Sequence, residues 1–208
     1  LQLRAKLGLP QDKKILLFVA ADLRQERKGL RFFFDALRFV DMHDWMVVTA
    51  GKKVKIPPTL RNFVPVKQLG YVSRSEAMAD VYGAADLFCI TSLEDNFPTV
   101  VLESMSCGTP VVGFSVGGIP EQVTEGSGQL VPLGDVRALG QAITALLRDD
   151  ELRRRMGRSC REKAEREYSL ERFLERYLAL YHELGGASWA IKEEPIRDTP
   201  GQHGPLTL

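Results

Sequence analysis

Short apolar runs alternate with stretches of helical periodicity from Ile15 to Leu147, and this alternation narrows the possible folds more than any other feature. Lys14–Ala20, Asp44–Gly51, a short piece between Phe63 and Val72, Ala85–Ile90, Pro110–Phe114 and Gly128–Pro132 read as strands. Between them, Leu30, Phe33, Phe34, Leu37 and Val40 fall on one helical face. Ser73-Arg-Ser-Glu76 has the form of a capping box opening a helix that runs to about Tyr82. Asp135 is placed to cap a helix through Leu147. Strands that alternate with helices imply a parallel sheet with right-handed crossovers, an α/β fold.

One stretch, Ser92 to Pro110, carries the most chemistry. An apolar strand precedes it, and a polar loop with Glu94 and Asp95 follows that strand. Pro98 suits the first position of a helix, where a missing N–H costs nothing. Val101, Leu102 and Met105 continue at helical spacing; Gly108 stops the helix and Pro110 prevents its restart. This arrangement sets free N–H groups of a helix start, near Pro98, Thr99 and Val100, at the carboxyl end of a strand. Open α/β sheets bind anionic ligands there. Glu103 lies among apolar neighbours, where a buried carboxylate needs a donor. Ligand hydroxyls would serve; solvation, or backbone donors from a nearby loop, are the alternatives. The loop Ser115–Glu121 holds paired glycines, which permit close backbone approach.

The first strand is followed by a polar loop ending in Arg27-Lys28-Gly29. A lysine beside the free N–H groups of a helix start suits a diphosphate; a solvated lysine at a helix end is the plain alternative.

Charge and composition exclude several classes. Lys and Arg number 28 against 27 acids, a net charge of +1, so nothing in the electrostatics favours nucleic acid. No apolar run reaches membrane-spanning length. Cys89, Cys107 and Cys160 are odd in number and widely spread, and read as reduced thiols of a cytosolic protein rather than a disulfide set or metal site. Asp150 to Leu184 is read as helical and charge-dense, a solvated surface of mixed sign with an apolar face from Leu170 to Tyr181. Arg153 to Arg158 is a candidate basic patch for peripheral membrane contact. Residues 185–208 read as a flexible tail.

The wording of the central stretch resembles a known family. Asp95-x7-Glu103, followed by Ser-Met-Ser-Cys-Gly-Thr-Pro-Val-Val and then Val116-Gly-Gly-Ile-Pro-Glu121, resembles the acid-x7-Glu motif of retaining GT-B glycosyltransferases, family 4. The resemblance spans roughly residues 1–184 and implies a Rossmann-like parallel sheet with helices on both faces, one half of a GT-B fold, plus C-terminal helices. It implies a donor site for a UDP- or GDP-sugar, with no cofactor. Asp95 would face the donor sugar, with Glu94 one residue off the spacing, and Glu103 would bond the ribose. Lys28 would hold the diphosphate with the N–H groups near Pro98, Thr99 and Val100. Backbone at Tyr71 and Val72 would be near the base; a partly buried Tyr71 with its hydroxyl in water is the alternative. Asp22 stands where the family commonly has an arginine, and Arg24 or Arg27 are the candidates to replace it.

The resemblance also implies a second, N-terminal domain for the acceptor, a sugar or lipid-linked glycan. The chain is therefore expected to be a donor-binding fragment of a cytoplasmic hexosyltransferase, inactive by itself. Rival readings are a non-catalytic nucleotide-sugar-binding or interaction module, and another GT-B enzyme such as a sugar-nucleotide epimerase. An NAD-binding dehydrogenase is disfavoured, since no Gly-x-Gly-x-x-Gly follows the first strand. No Asp-x-Asp pair suggests a carboxylate metal clamp.

Overall fold

The computed structural model describes residues 2–41 and 43–185. They divide into two compact units, one ending at Ser169 and one beginning at Leu170. The first unit runs α1 (Gln2–Lys6), β1 (Lys14–Asp22), a 3-10 turn (Glu26–Lys28), α2 (Leu30–Leu37), β2 (Trp45–Lys52), α3 (Pro58–Arg61), β3 (Val66–Gly70) and α4 (Ser75–Ala84). It continues with β4 (Leu87–Ile90), α5 (Thr99–Ser106), β5 (Val111–Phe114), α6 (Ile119–Gln122), β6 (Gly128–Val131), α7 (Val136–Arg148) and α8 (Asp150–Tyr168). The strands form one sheet in the order β3-β2-β1-β4-β5-β6, every neighbouring pair parallel. From β1 the chain builds outward to one side, then returns to β4 and builds to the other. The carboxyl ends of β1 and β4 therefore flank the switch point, where open α/β sheets bind ligands.

β1 shows why the apolar runs become central strands. Leu16 and Phe18 enter one core with α2 and α7, while Ile15 and Leu17 enter a second core with α4, α5 and α8. A strand covered on both faces needs apolar residues at every position rather than at alternate ones. On α5, Val101 and Met105 are buried one turn apart. The helix ends at Cys107, with Gly108 at φ +71 just beyond, as its sequence predicts. Asp135 caps α7 by accepting from the Ala138 N–H at 2.9 Å.

Several local expectations are corrected. Pro98 is the N-cap of α5, not its first helical residue; its φ of −66° suits both places. The Ser73–Glu76 capping box does not form, because α4 starts at Ser75 with Arg74 as N-cap, and no side chain caps it. The helical stretch read from Asp150 to Leu184 is broken at Ser169, which is extended (ψ 159°) and ends α8 before α9 (Leu170–Gly185). Nor is α8 wholly solvated: Arg153 and Lys163 are buried. Arg153 is turned inward and donates to the carbonyls of Leu146 and Leu147, which the end of α7 leaves without intrahelical donors. The Arg153–Arg158 stretch thus presents Arg154, Arg155 and Arg158 at the surface.

In the second unit, the rings of Phe173 and Tyr177 meet along α9 with centroids 4.3 Å apart and planes tilted by 37°. No helix among the described residues is long and apolar enough to cross a membrane. Of the tail read from residue 185, Gly185 instead ends α9, and residues 186–208 lie outside the described residues.

Candidate functional site

Three loops meet at the carboxyl rim of the sheet. The loop after β1 ends in the 3-10 turn, and Gly29 (φ +66°) is the N-cap of α2. Thr91, just past β4, donates its hydroxyl to the Gly29 carbonyl at 2.9 Å, and the Leu93 N–H donates to the Arg27 carbonyl at 2.8 Å. These bonds hold the first loop against the end of β4. Lys28 Nζ consequently lies 2.7 Å from Asp95 Oδ2, with both side chains largely buried, 19% and 13% exposed. The Ser92 hydroxyl reaches the same oxygen at 3.4 Å. The sequence expectation joined Lys28 and Asp95 only through a ligand; the structure joins them directly.

The third loop is the paired-glycine segment before α6. The Gly118 N–H donates to the Asp95 carbonyl at 3.2 Å. A Cβ at Gly117 (φ +54°) would stand 1.9 Å from the Asp95 carbonyl oxygen, and one at Gly118 would stand 1.8 Å from that of Asn96. The glycines are there so that two backbones can touch. Below them, Gln122 Nε2 donates to the Pro98 carbonyl at 3.2 Å.

The start of α5 divides two cavities. One of about 210 Å³ is lined by Lys28 and Val100 together with Asp22, Arg27, Thr91 and Ser92. The other, about 490 Å³, is lined by Thr99 and Glu103 with Ser73, Arg74, Ser75, Tyr82 and Cys107. Lys28 and Glu103 therefore flank one helix start without sharing a cavity. The first N–H groups of a helix have no intrahelical acceptors, and the helix dipole places partial positive charge there.

Glu103 is exposed, the solvated alternative that the sequence left open. Val101 and Met105 point into the core, while Glu103 is on the exposed side of α5. Its Oε2 accepts a hydrogen bond from the Tyr82 hydroxyl at 2.9 Å. Tyr82 is only 1% exposed, and burial, reinforced by the Glu103 charge, pushes its phenol well above the usual range. It stays protonated and donates. Sequence reasoning missed Tyr82; the available signal was that a buried tyrosine hydroxyl needs a partner.

The other candidates are placed as follows. Glu94 is exposed, leaving Asp95 as the acid that meets Lys28. Tyr71 is 66% exposed and Val72 half-buried; the larger cavity is lined instead by Ser73 to Ser75, immediately after them. Asp22 accepts from Arg24 Nη2 at 2.7 Å and Nε at 2.9 Å, and those bonds hold its carboxyl well below the usual range. Arg24 is thus engaged with Asp22, whereas Arg27 lines the Lys28 cavity.

Fold and rim together define a Rossmann-like α/β domain of the kind from which GT-B glycosyltransferases are built. The family model for glycosyl transferases group 1 matches residues 13–149, and the chain belongs to that family. It is 26% identical over 186 residues to N-acetyl-alpha-D-glucosaminyl L-malate synthase of Bacillus anthracis, covering 88% of this chain and 49% of the relative. It is 38% identical over 201 residues to D-inositol 3-phosphate glycosyltransferase of Saccharomonospora viridis, covering 88% and 46%. Among solved structures, it resembles sucrose-phosphate synthase of Thermosynechococcus elongatus (TM-score 0.77, 29% identity, 90% of this chain and 49% of that one). It shares the fold of Anabaena HepE, solved with UDP and glucose (TM-score 0.73, 21% identity, 88% and 51%). The chain spans about half the length of the curated relatives it matches.

Proposed function

We propose that this chain is the C-terminal, donor-binding half of a retaining family 4 GT-B glycosyltransferase, and that it holds a UDP- or GDP-sugar at the start of α5. One observation carries the reading: Lys28, Asp95 and the first turn of α5 stand at one rim, with Glu103 one helical turn along in the adjoining cavity. In this reading the diphosphate lies across the helix start, between the two cavities. Each anion contact with a helix N-terminus is worth about 0.3–1 kcal/mol at exposed sites. A charge-assisted bond from Lys28 adds about 1.5–3 kcal/mol.

Without ligand, Asp95 neutralises Lys28. A diphosphate competes for the ammonium and releases the Asp95 carboxylate to accept from hydroxyls of the donor sugar. Glu103, held on one oxygen by Tyr82, accepts from the ribose. No protein nucleophile is invoked. The acceptor oxygen bonds to the anomeric carbon on the face from which the phosphate oxygen departs, and the leaving phosphate takes the acceptor proton. Lys28 and the α5 N–H groups stabilise the charge that develops on that phosphate.

The acceptor, a sugar or a lipid-linked glycan, would be supplied by the half of the relatives' length that this chain does not cover. On that basis the fragment binds donor but transfers poorly. HepE, whose structure holds UDP and glucose, supports the donor class by its shared fold. Arg154, Arg155 and Arg158 would give the intact enzyme a weak cytoplasmic membrane contact.

Isothermal titration with UDP, GDP and the matching monophosphates tests the reading. Binding of one diphosphate, tighter than its monophosphate, is expected, with Lys28→Ala removing that difference. A folded chain that binds neither diphosphate at concentrations on the order of millimolar would leave the interaction module standing and the donor site refuted.

A further inference from the structure

Like Arg153, Lys163 is a buried cation on α8 that charge patterning fails to explain. Its residue is 8% exposed, yet its ammonium meets peptide carbonyls: Gln122 at 2.8 Å and Glu121 at 3.0 Å. The ring of Tyr168 stands 5.9 Å away. A buried lysine ordinarily finds a carboxylate, because carbonyls replace its hydration less well. Here the charge is spent on the last carbonyls of α6, a single turn with no length to hold itself together.

What α6 does gives the lysine its purpose. Gly118, its N-cap, bonds the Asp95 carbonyl, and the Gln122 side chain bonds the Pro98 carbonyl. Asp95 and Pro98 both belong to the loop between β4 and α5. Tyr168, from the same end of α8, packs edge-on against Phe97 inside that loop, with centroids 5.7 Å apart, and its hydroxyl also meets the Glu121 carbonyl. A chain of contacts thus runs from α8 through α6 to the acid beside Lys28. Glu103 is held by a separate support, the Tyr82 hydroxyl.

We propose that Lys163 is a positioning residue for the donor sugar: it fixes α6, and α6 seats Asp95. This rests on the donor-site reading and sharpens it, since two independent supports serve two parts of one ligand. Loss of Lys163 should weaken recognition of the sugar and spare recognition of the nucleoside diphosphate.

The test compares free diphosphate with its sugar conjugate, using UDP against UDP-glucose and GDP against GDP-mannose, by calorimetry on the full chain. Lys163→Met keeps the apolar stem and removes the ammonium. The expected result is about tenfold weaker binding of the sugar conjugate with the free diphosphate changed less than about twofold, and Lys163→Arg restoring most of the difference. Equal weakening of both ligands, no change in either, or failure of Lys163→Arg to rescue would overturn the proposal. If Lys163→Met does not fold, Gln122→Met carries the same comparison, because it cuts the link from α6 to Pro98 and leaves Lys163 in place. A wild-type chain that binds neither diphosphate refutes the donor reading first. Wild-type binding with an unaltered variant refutes the Lys163 role alone.

Discussion

Gly118→Ala is the sharpest perturbation of the rim. The φ of Gly118 is −87°, which alanine adopts freely, so the effect comes from contact and not from backbone strain. The added Cβ would stand 1.8 Å from the Asn96 carbonyl oxygen and 3.0 Å from its carbon, against an ordinary closest approach of 3.4 Å. The loop must therefore retreat by about 1.6 Å (3.4 − 1.8). That movement breaks the 3.2 Å bond from Gly118 N–H to the Asp95 carbonyl. Overpacking costs about 1–3 kcal/mol and the lost bond about 1 kcal/mol, together about 2–4 kcal/mol. At about 2–4 °C per kcal/mol for a chain of this size, Tm should fall by about 4–16 °C. Donor binding should weaken at least about tenfold, because Asp95 moves with its backbone. Gly126→Ala is the control: its Cβ would meet nothing closer than 3.9 Å, and Tm should stay within about 1 °C. Thermal melts and UDP or GDP titration read both effects. If Gly118→Ala melts with wild type and binds like wild type, the reasoning about the paired glycines is wrong.

Tyr82→Phe should leave the edge-on packing on Phe88 and hold Tm within about 3 °C, while weakening UDP or GDP binding about three- to tenfold; equal binding would show that Glu103 needs no holder. Lys28→Met should cost about 1–3 kcal/mol of stability by leaving the Asp95 carboxylate mostly buried without its cation. Adding Asp95→Asn should recover stability but not binding, as denaturant titration and calorimetry together would show. Asp22 has a folded pKa below its unfolded value, so its contribution is present above about pH 4 and lost as pH falls through the folded value. The stability gap between wild type and Asp22→Asn should accordingly narrow on acidification; a gap that widens would contradict the Arg24 pairing as its cause.

The strands and the helix of the central stretch were legible because burial imposes a pattern along the chain. Lys14–Ala20 reads as a strand because both its faces are covered, and Gly108 reads as a stop because a left-handed residue follows the helix. The rim's order was legible too, since Lys28, Asp95 and the start of α5 all follow strands. Polar pairing leaves no such periodic trace. Lys28 and Asp95 meet across 67 residues, Tyr82 and Glu103 across 21. Lys163 and Arg153 were absorbed into a charge-dense helix because composition cannot say which basic residue turns inward to a helix end. The Ser73 capping box failed for a local reason: Arg74 is still extended (φ −93°, ψ 132°), so α4 starts only at Ser75.

The most direct test is an amide-resolved NMR titration of the isotopically labelled chain with UDP and with GDP. If the start of α5 is the donor site, one of the two nucleotides shifts the amides of Lys28, Gly29, Thr99, Val100 and Glu103 together, along one saturable curve. Shifts gathered at the opposite edge of the sheet, around Lys14, Asp86 and Asp150, or none at ligand concentrations on the order of millimolar, would contradict it.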